Sequence, residues 1–320
     1  MKTKHNILAA AALTVAGLTP AHAIVINGTY GAANALALAA PFSNVVRINI
    51  DTGAGAGVCS GSMISATTIL TAKHCTAGLG IGAFTVDFDR NGNGNIADFG
   101  DSRMTVSGKF EAPNPGTNAN LIDGTDLAML TLSGPAPGWA SSYQLWTGDI
   151  LGAQVTTVGY GGQGVNSLVA GTAGGTRWAA QNIVDKVGSG GFNQPFSTNI
   201  ISTDFDNGTA AGNTLGGFPI NSSEVPLAAE GTTAGGDSGG PLFFNLNNAW
   251  YIGGVLSGGT DGTSSAGDIS WWTGVTAFRA EIELAGGVFL SPIPEPSSYA
   301  MALLGLVMLG ALKKRRQADC

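Results

Sequence analysis

The chain has 320 residues, long enough for one large or two modest domains with a real core. Only 11% of the residues are charged and 50 are glycine, a composition that suits strands and turns better than a helical cytosolic protein. Between residues 24 and 312, 8 basic side chains stand against 20 acidic ones, a net charge of −12, which excludes the basic footprint of a nucleic-acid binder.

Residues 1–23 read as a signal peptide. Lys2 and Lys4 precede an apolar run from Ile7 to Leu18, and Ala21-His22-Ala23 is small at both positions that signal peptidase reads. Signal peptidase is therefore an expected partner, and the mature body starts at Ile24. Short apolar or alternating runs then recur between turn-rich segments: "VVRINI" from Val45, "GVCSGSMI" from Gly57, "TILTAKHC" from Thr68, "LAMLTL" from Leu127, "AQVTTVGYG" from Ala153 and "WYIGGVLS" from Trp250. Many short strands punctuated by Gly, Asn, Asp and Ser predict an all-β sandwich or barrel. The one helical-looking stretch is "VTAFRAEIELA", from Val275 to Ala285, placed on the surface at the end of the body. Cys59 and Cys75 lie in the exported body, so one disulfide is predicted, whereas Cys320 sits at the end of the tail as a free thiol.

The stretch "DFDRNGNGNIADFGD" runs from Asp87 to Asp101. Counted from Asp89, it places Asp89, Asn91, Asn93 and Asn95 at alternate positions with Gly94 at the sharp turn, as in a calcium loop. Position twelve is Gly100, so Asp98 or Asp101 would have to supply the missing carboxylate. An Asn-Gly hairpin turn fits the same residues, and both readings stand.

"GGDSGGP", from Gly235 to Pro241, offers Ser238 as a nucleophile, but a hydroxyl needs a base and the base needs an orienting group. Of three histidines, His5 and His22 leave with the signal peptide, so His74 in "TAKHC" is the base available. Asp126, directly before an apolar strand in "GTDLAMLTL", is chosen to orient it. Asp123, in the polar loop ahead, is the fallback and suits a turn cap better. The order His74, Asp126, Ser238 excludes the α/β-hydrolase reading of Gly236-Asp237-Ser238-Gly239-Gly240, because no histidine follows the serine. "DTG" at Asp51 to Gly53 lacks the second loop of an aspartic protease and reads as a turn.

Together these residues resemble the trypsin-like, chymotrypsin-fold serine proteases. "TAKHC" is similar to that family's Thr-Ala-Ala-His-Cys, with Lys73 departing, "DLAML" to its Asp-Ile-Ala-Leu-Leu, and "GDSGGPL" matches its nucleophile motif residue for residue. The resemblance implies two six-stranded antiparallel β-barrels over residues 24–290, with the site in the cleft between them. It implies Ser238 as nucleophile, His74 as general base and then acid, and Asp126 as the orienting carboxylate. The N–H groups of Gly236 and Ser238 would form an oxyanion hole, Thr232 the base of the primary pocket, and Ser257, Gly258 and Gly259 the backbone wall of the substrate groove. Without a carboxylate at 232, cleavage after Lys or Arg is not expected. The family's second disulfide beside the nucleophile is absent. Its pairing of a freed N-terminal amine with the aspartate before the nucleophile would here join Ile24 to Asp237. The implied activity is hydrolysis of protein or peptide substrates with no cofactor required for the chemistry. The alternative is an inactive trypsin-like fold serving as a surface binding module.

The tail, residues 291–320, holds an uncharged stretch from Ser297 to Leu312 followed by Lys313, Lys314, Arg315 and Arg316, a short membrane span with a basic cytoplasmic flank. Pro294-Glu295-Pro296 before it resembles the PEP-CTERM sorting signal of Gram-negative bacteria, which implies recognition by an exosortase, transient anchoring in the inner membrane, and a body in the envelope or outside the cell. A plain C-terminal anchor is the alternative.

Overall fold

A computed structural model describes residues 24–113, 123–168, 174–188, 198–217, 222–260 and 263–290. The expected signal peptide and membrane-spanning tail lie outside the described residues. Among the described residues no helix is long and apolar enough to cross a membrane.

A two-residue strand β1 (Val25–Ile26) and a helix α1 (Ala32–Ala39) precede the first barrel. The barrel strands are β2 (Val45–Asp51), β3 (Ala56–Met63), β4 (Thr68–Thr71), β5 (Phe84–Phe88), β6 (Ser102–Glu111) and β7 (Ala128–Leu132). They close in the order β2-β3-β4-β7-β6-β5, all antiparallel. Alternation explains the closure: Val46, Ile48 and Ile50 of β2 point inward while Arg47, Asn49 and Asp51 point out. Phe84, Val86 and Phe88 of β5 fill the facing positions.

The second half holds β8 (Gln144–Trp146), β9 (Gln154–Gly159), β10 (Gly164–Val165), β11 (Ser167–Leu168), β12 (Trp178–Ile183), β13 (Lys186–Val187), β14 (Ile200–Asp204) and β15 (Gly231–Thr232). It continues with β16 (Pro241–Leu246), β17 (Ala249–Gly259), β18 (Ile269–Gly274), helix α2 (Arg279–Leu284) and β19 (Phe289–Leu290). The hairpin from β16 to β17 turns on Asn247 and Asn248, both at positive φ, as a two-residue primed turn requires.

This half corrects the expectation of a second closed six-stranded barrel. Its sheet runs β12-β9-β16-β17-β18-β14-β13 and its ladder stays open. The two edge strands, β12 and β13, are successive pieces of one chain segment, interrupted at Val184 and Asp185. The Asn182 amide bridges part of the gap by donating to the Asp204 carbonyl at 2.6 Å. A half-barrel results, around Trp146, Val155, Leu242, Leu256 and Trp272.

The halves share one apolar core. Phe42 stacks on Phe243 with ring centroids 4.8 Å apart, a contact worth about 1 kcal/mol beyond its buried area. Arg177, 1% exposed, donates across the seam to the Asp89 carbonyl at 2.7 Å and the Tyr160 hydroxyl at 2.9 Å. Residues 275–284 form a 3₁₀ turn running into α2, and Val275, Phe278 and Ile282 are buried against the first barrel's core. The Ala285 carbonyl then accepts from Thr68 of β4 at 2.9 Å. Helix α1 went unforeseen: its alanines bury only Ala35 and Ala39 and no side chain caps it.

Candidate active site

His74 sits in a single 3₁₀ turn, Lys73–Cys75, where β4 ends. The disulfide from Cys75 to Cys59 of β3 ties that turn to the barrel wall. Asp126 lies directly ahead of β7 and is 1% exposed. Its carboxylate grips the histidine twice: Oδ1 accepts the His74 backbone N–H at 2.8 Å, and Oδ2 lies 2.7 Å from the ring Nδ1. This places the ring proton on Nδ1 and leaves Nε2 as the acceptor. Asp123 does something else, accepting from Thr125 N at 2.8 Å and Thr125 Oγ1 at 2.5 Å.

Ser238 lies in the loop between β15 and β16, held by its backbone. Its carbonyl accepts from Ser60 N at 2.8 Å, and Gly239 N donates to the Leu256 carbonyl at 2.8 Å. Ser60 Oγ donates to the Gly236 carbonyl at 3.0 Å. Gly239 is obligatory, because its φ is +82° and a Cβ there would lie 2.1 Å from Thr71 Oγ1. Gly236 also has positive φ, +95°. Neither Gly236 N nor Ser238 N donates a hydrogen bond among the described residues, so two adjacent donors are free beside the hydroxyl.

His74 and Ser238 line one cleft of about 170 Å³ with Thr233, Leu256, Gly258 and Gly259. Among the described residues no hydrogen bond joins the Ser238 hydroxyl to Nε2. Such bonds commonly tighten only when substrate is bound. Ser257 also lines the cleft, with its hydroxyl turned to Thr273 Oγ1 at 2.9 Å. Thr232 is buried beneath, its Oγ1 2.9 Å from Ser270 Oγ, and Thr233 Oγ1 meets the same hydroxyl at 2.7 Å. The pocket base is thus a neutral set of hydroxyls. Sequence reasoning missed Asp268, whose carboxylate oxygens lie 3.4 and 3.8 Å from where a Cβ on Gly259 would be. It sits in no motif of its own; it immediately precedes β18, whose pairing with β17 brings it beside Gly259 of the groove.

Asp237 is fully buried. Burial pushes its carboxyl well above the usual range, and hydrogen bonds from Ala234 N and Gly161 N only partly oppose this. Ile24 is fully buried too, and β1 pairs with β15 so that Val25 faces Thr232, five residues before Asp237.

The Asp89–Asp101 loop supplies donors to the carboxylates of Asp89 and Asp98 and to one oxygen of Asp101, while Asp101 Oδ2 is buried without a hydrogen-bond partner. Asp89 accepts from Gly92 N and Gly94 N, both at 2.7 Å, and Asp98 from the amides of Asn91 at 2.9 Å, Asn93 at 2.7 Å and Asn95. Asp101 accepts from Arg90 N at 2.8 Å. Among the described residues, three potential metal-ligand side chains converge only at Cys59, His74 and Cys75, where the disulfide removes both thiolates.

Two comparisons bear on this geometry. The PEP-CTERM protein-sorting motif matches residues 292–316. An uncharacterized peptidase and a putative peptidase from two strains of Corynebacterium glutamicum are each 27% identical over 288 residues, covering 89% of this chain and 81% of the relative. The Trypsin family model matches residues 33–282, and with most of the chain so covered, the protein belongs to the trypsin family of peptidases and carries a PEP-CTERM sorting motif.

Proposed function

We propose that the protein is an exported serine endopeptidase working through Ser238, His74 and Asp126. The observation that carries the reading is the double grip of Asp126 on His74, which lines one cleft with Ser238. Nε2 takes the Ser238 proton as Oγ attacks the scissile carbonyl, and the Nδ1–H···Asp126 bond stabilises the imidazolium that forms. The Gly236 and Ser238 N–H groups receive the developing oxyanion, each worth about 2.7–4 kcal/mol to the transition state. His74 then protonates the leaving amine, and water, activated by the same nitrogen, hydrolyses the acyl-enzyme. A fluorophosphonate probe should label Ser238 in the mature protein and fail in His74→Ala. Absence of labelling in the unaltered protein would favour an inactive binding module.

The hydroxyl-lined pocket base favours an uncharged side chain before the scissile bond. A peptide library cleaved mainly after Lys or Arg would contradict this and direct attention to Asp268. Removal of residues 1–23 would free the Ile24 amine to pair with the buried Asp237 and so activate the site without a separate propeptide. Residues added ahead of Ile24 should lower activity, and unchanged activity would rule the pair out. The sorting motif supports processing by an exosortase and a location in the Gram-negative envelope or beyond it. Calcium in the Asp89–Asp101 loop remains the alternative to a hairpin turn, and an Asp98→Asn protein that keeps its full thermal response to chelator would exclude it.

A further inference from the structure

Four acids are buried where the ladder of the second half breaks. Asp185, Asp204, Asp206 and Glu230 are 1%, 1%, 8% and 2% exposed. Asp204 N donates to Asp185 Oδ2 at 3.2 Å, and the two carboxyl groups face each other directly. Asp204 Oδ2 accepts from Leu215 N at 2.6 Å, and Glu230 Oε2 from Leu227 N at 2.9 Å. The opposite oxygens are orphaned: Asp185 Oδ1, Asp204 Oδ1, Asp206 Oδ1 and Glu230 Oε1 have no hydrogen-bond partner. No ion pair reaches any of the four among the described residues.

Buried carboxylates need a counter-charge or a proton. Burial, joined by mutual repulsion, pushes Asp206 up to about 7, Asp185 to about 8 and Glu230 to about 9, and Asp204 shifts upward as well. Lys186, next in sequence, is pushed down by burial. Asp185 and Asp204, adjacent and each with a carboxyl oxygen that no donor reaches, offer hard oxygen ligands to a cation, since calcium takes six to eight oxygen ligands in flexible geometry. We propose that Asp185 and Asp204 seat a divalent cation of the calcium class, with Asp206 and Glu230 completing its negative surround. No three of the acids bring oxygens within 4.8 Å of one another. Direct ligation therefore falls to the facing pair, with backbone carbonyls and water filling the shell.

The position has a consequence for the active site, which rests on the peptidase reading. Glu230 leads straight into β15, the strand that holds Thr232 and pairs with β1. Its carbonyl accepts from Asn27 N at 2.8 Å. An ion on the cluster ties the pocket base and the N-terminal strand to β14.

Calorimetric titration of the chelated mature protein with calcium chloride tests the site without reference to activity. Saturable binding is expected, weakened at least tenfold in Asp204→Asn, abolished in Asp185→Asn with Asp204→Asn, and retained in Asp98→Asn. Thermal unfolding should show the matching calcium-dependent rise. Should the double variant not fold, Asp204→Asn alone decides, since its amide oxygen still accepts from Leu215. Binding lost in Asp98→Asn and kept in Asp204→Asn would move the ion to the Asp89–Asp101 loop and overturn the proposal. No binding at all, with the double variant unfolding at higher temperature, would show that the acids take protons alone and would overturn it equally. Loss of binding with intact fluorophosphonate labelling would sink the cation and spare the peptidase.

Discussion

The first barrel and the second half solve the same problem of buried acids in opposite ways. Asp87, 1% exposed on β5, is answered by Arg47 and Arg103, each at 2.6 Å, inside a ladder that closes on itself and carries a disulfide. The acids of the second half meet across an open ladder, with no arginine or lysine paired to them among the described residues. One half answers its buried acid with arginine side chains; the other answers Asp185, Asp204 and Glu230 with backbone N–H groups.

The contrast can be broken or sharpened by substitution. Gly239→Ala, at the seam where Ser238 is held, should have the largest effect on the fold. Positive φ and a Cβ 2.1 Å from Thr71 Oγ1 together cost about 3 kcal/mol or more, read by urea denaturation. Removing the Cys59–Cys75 bridge, of sequence separation 16, should lower stability by about 3 kcal/mol and act on the first barrel. Asp87→Asn should cost about 2 kcal/mol, less than a fully buried pair because Arg103 is half exposed. Burial opposes ionisation of Asp87, but hydrogen bonds from Arg103, Asn49 and Arg47 outweigh it and hold its carboxyl below the ordinary 3.8. The folded value lies under the unfolded one, so this stability is present above about pH 4 and lost as pH falls through the folded value. Acid titration of unfolding should show that loss in the unaltered protein and not in Asp87→Asn. The smallest effect has the opposite sign: in chelator, Asp204→Asn should stabilise by about 1 kcal/mol, because it removes an unanswered buried charge. A clear destabilisation there would remove the distinction between the halves.

Strands were legible where apolar residues alternate or cluster, as in "VVRINI" and "TILTAKHC", which became β2 and β4. The histidine, aspartate and serine were legible because each sits in a short motif of its own. The acid cluster was not, since Asp185, Asp204, Asp206 and Glu230 share no motif and only the topology brings them to one region. Arg177 was hidden for the same reason: apart from the Tyr160 hydroxyl its partners are carbonyls, which leave no trace in side-chain patterns. The open second ladder was illegible because the interruption is two ordinary residues, Val184 and Asp185.

The central claim is that Ser238 becomes covalently acylated with help from His74 and Asp126. Rapid-quench mass spectrometry of the mature protein with a slowly deacylating ester tests it most directly. A stoichiometric acyl group on Ser238 is predicted, with its rate of formation cut about 10⁴-fold in Asp126→Asn. An unmodified Ser238, or acylation at the same rate in Asp126→Asn, would contradict it.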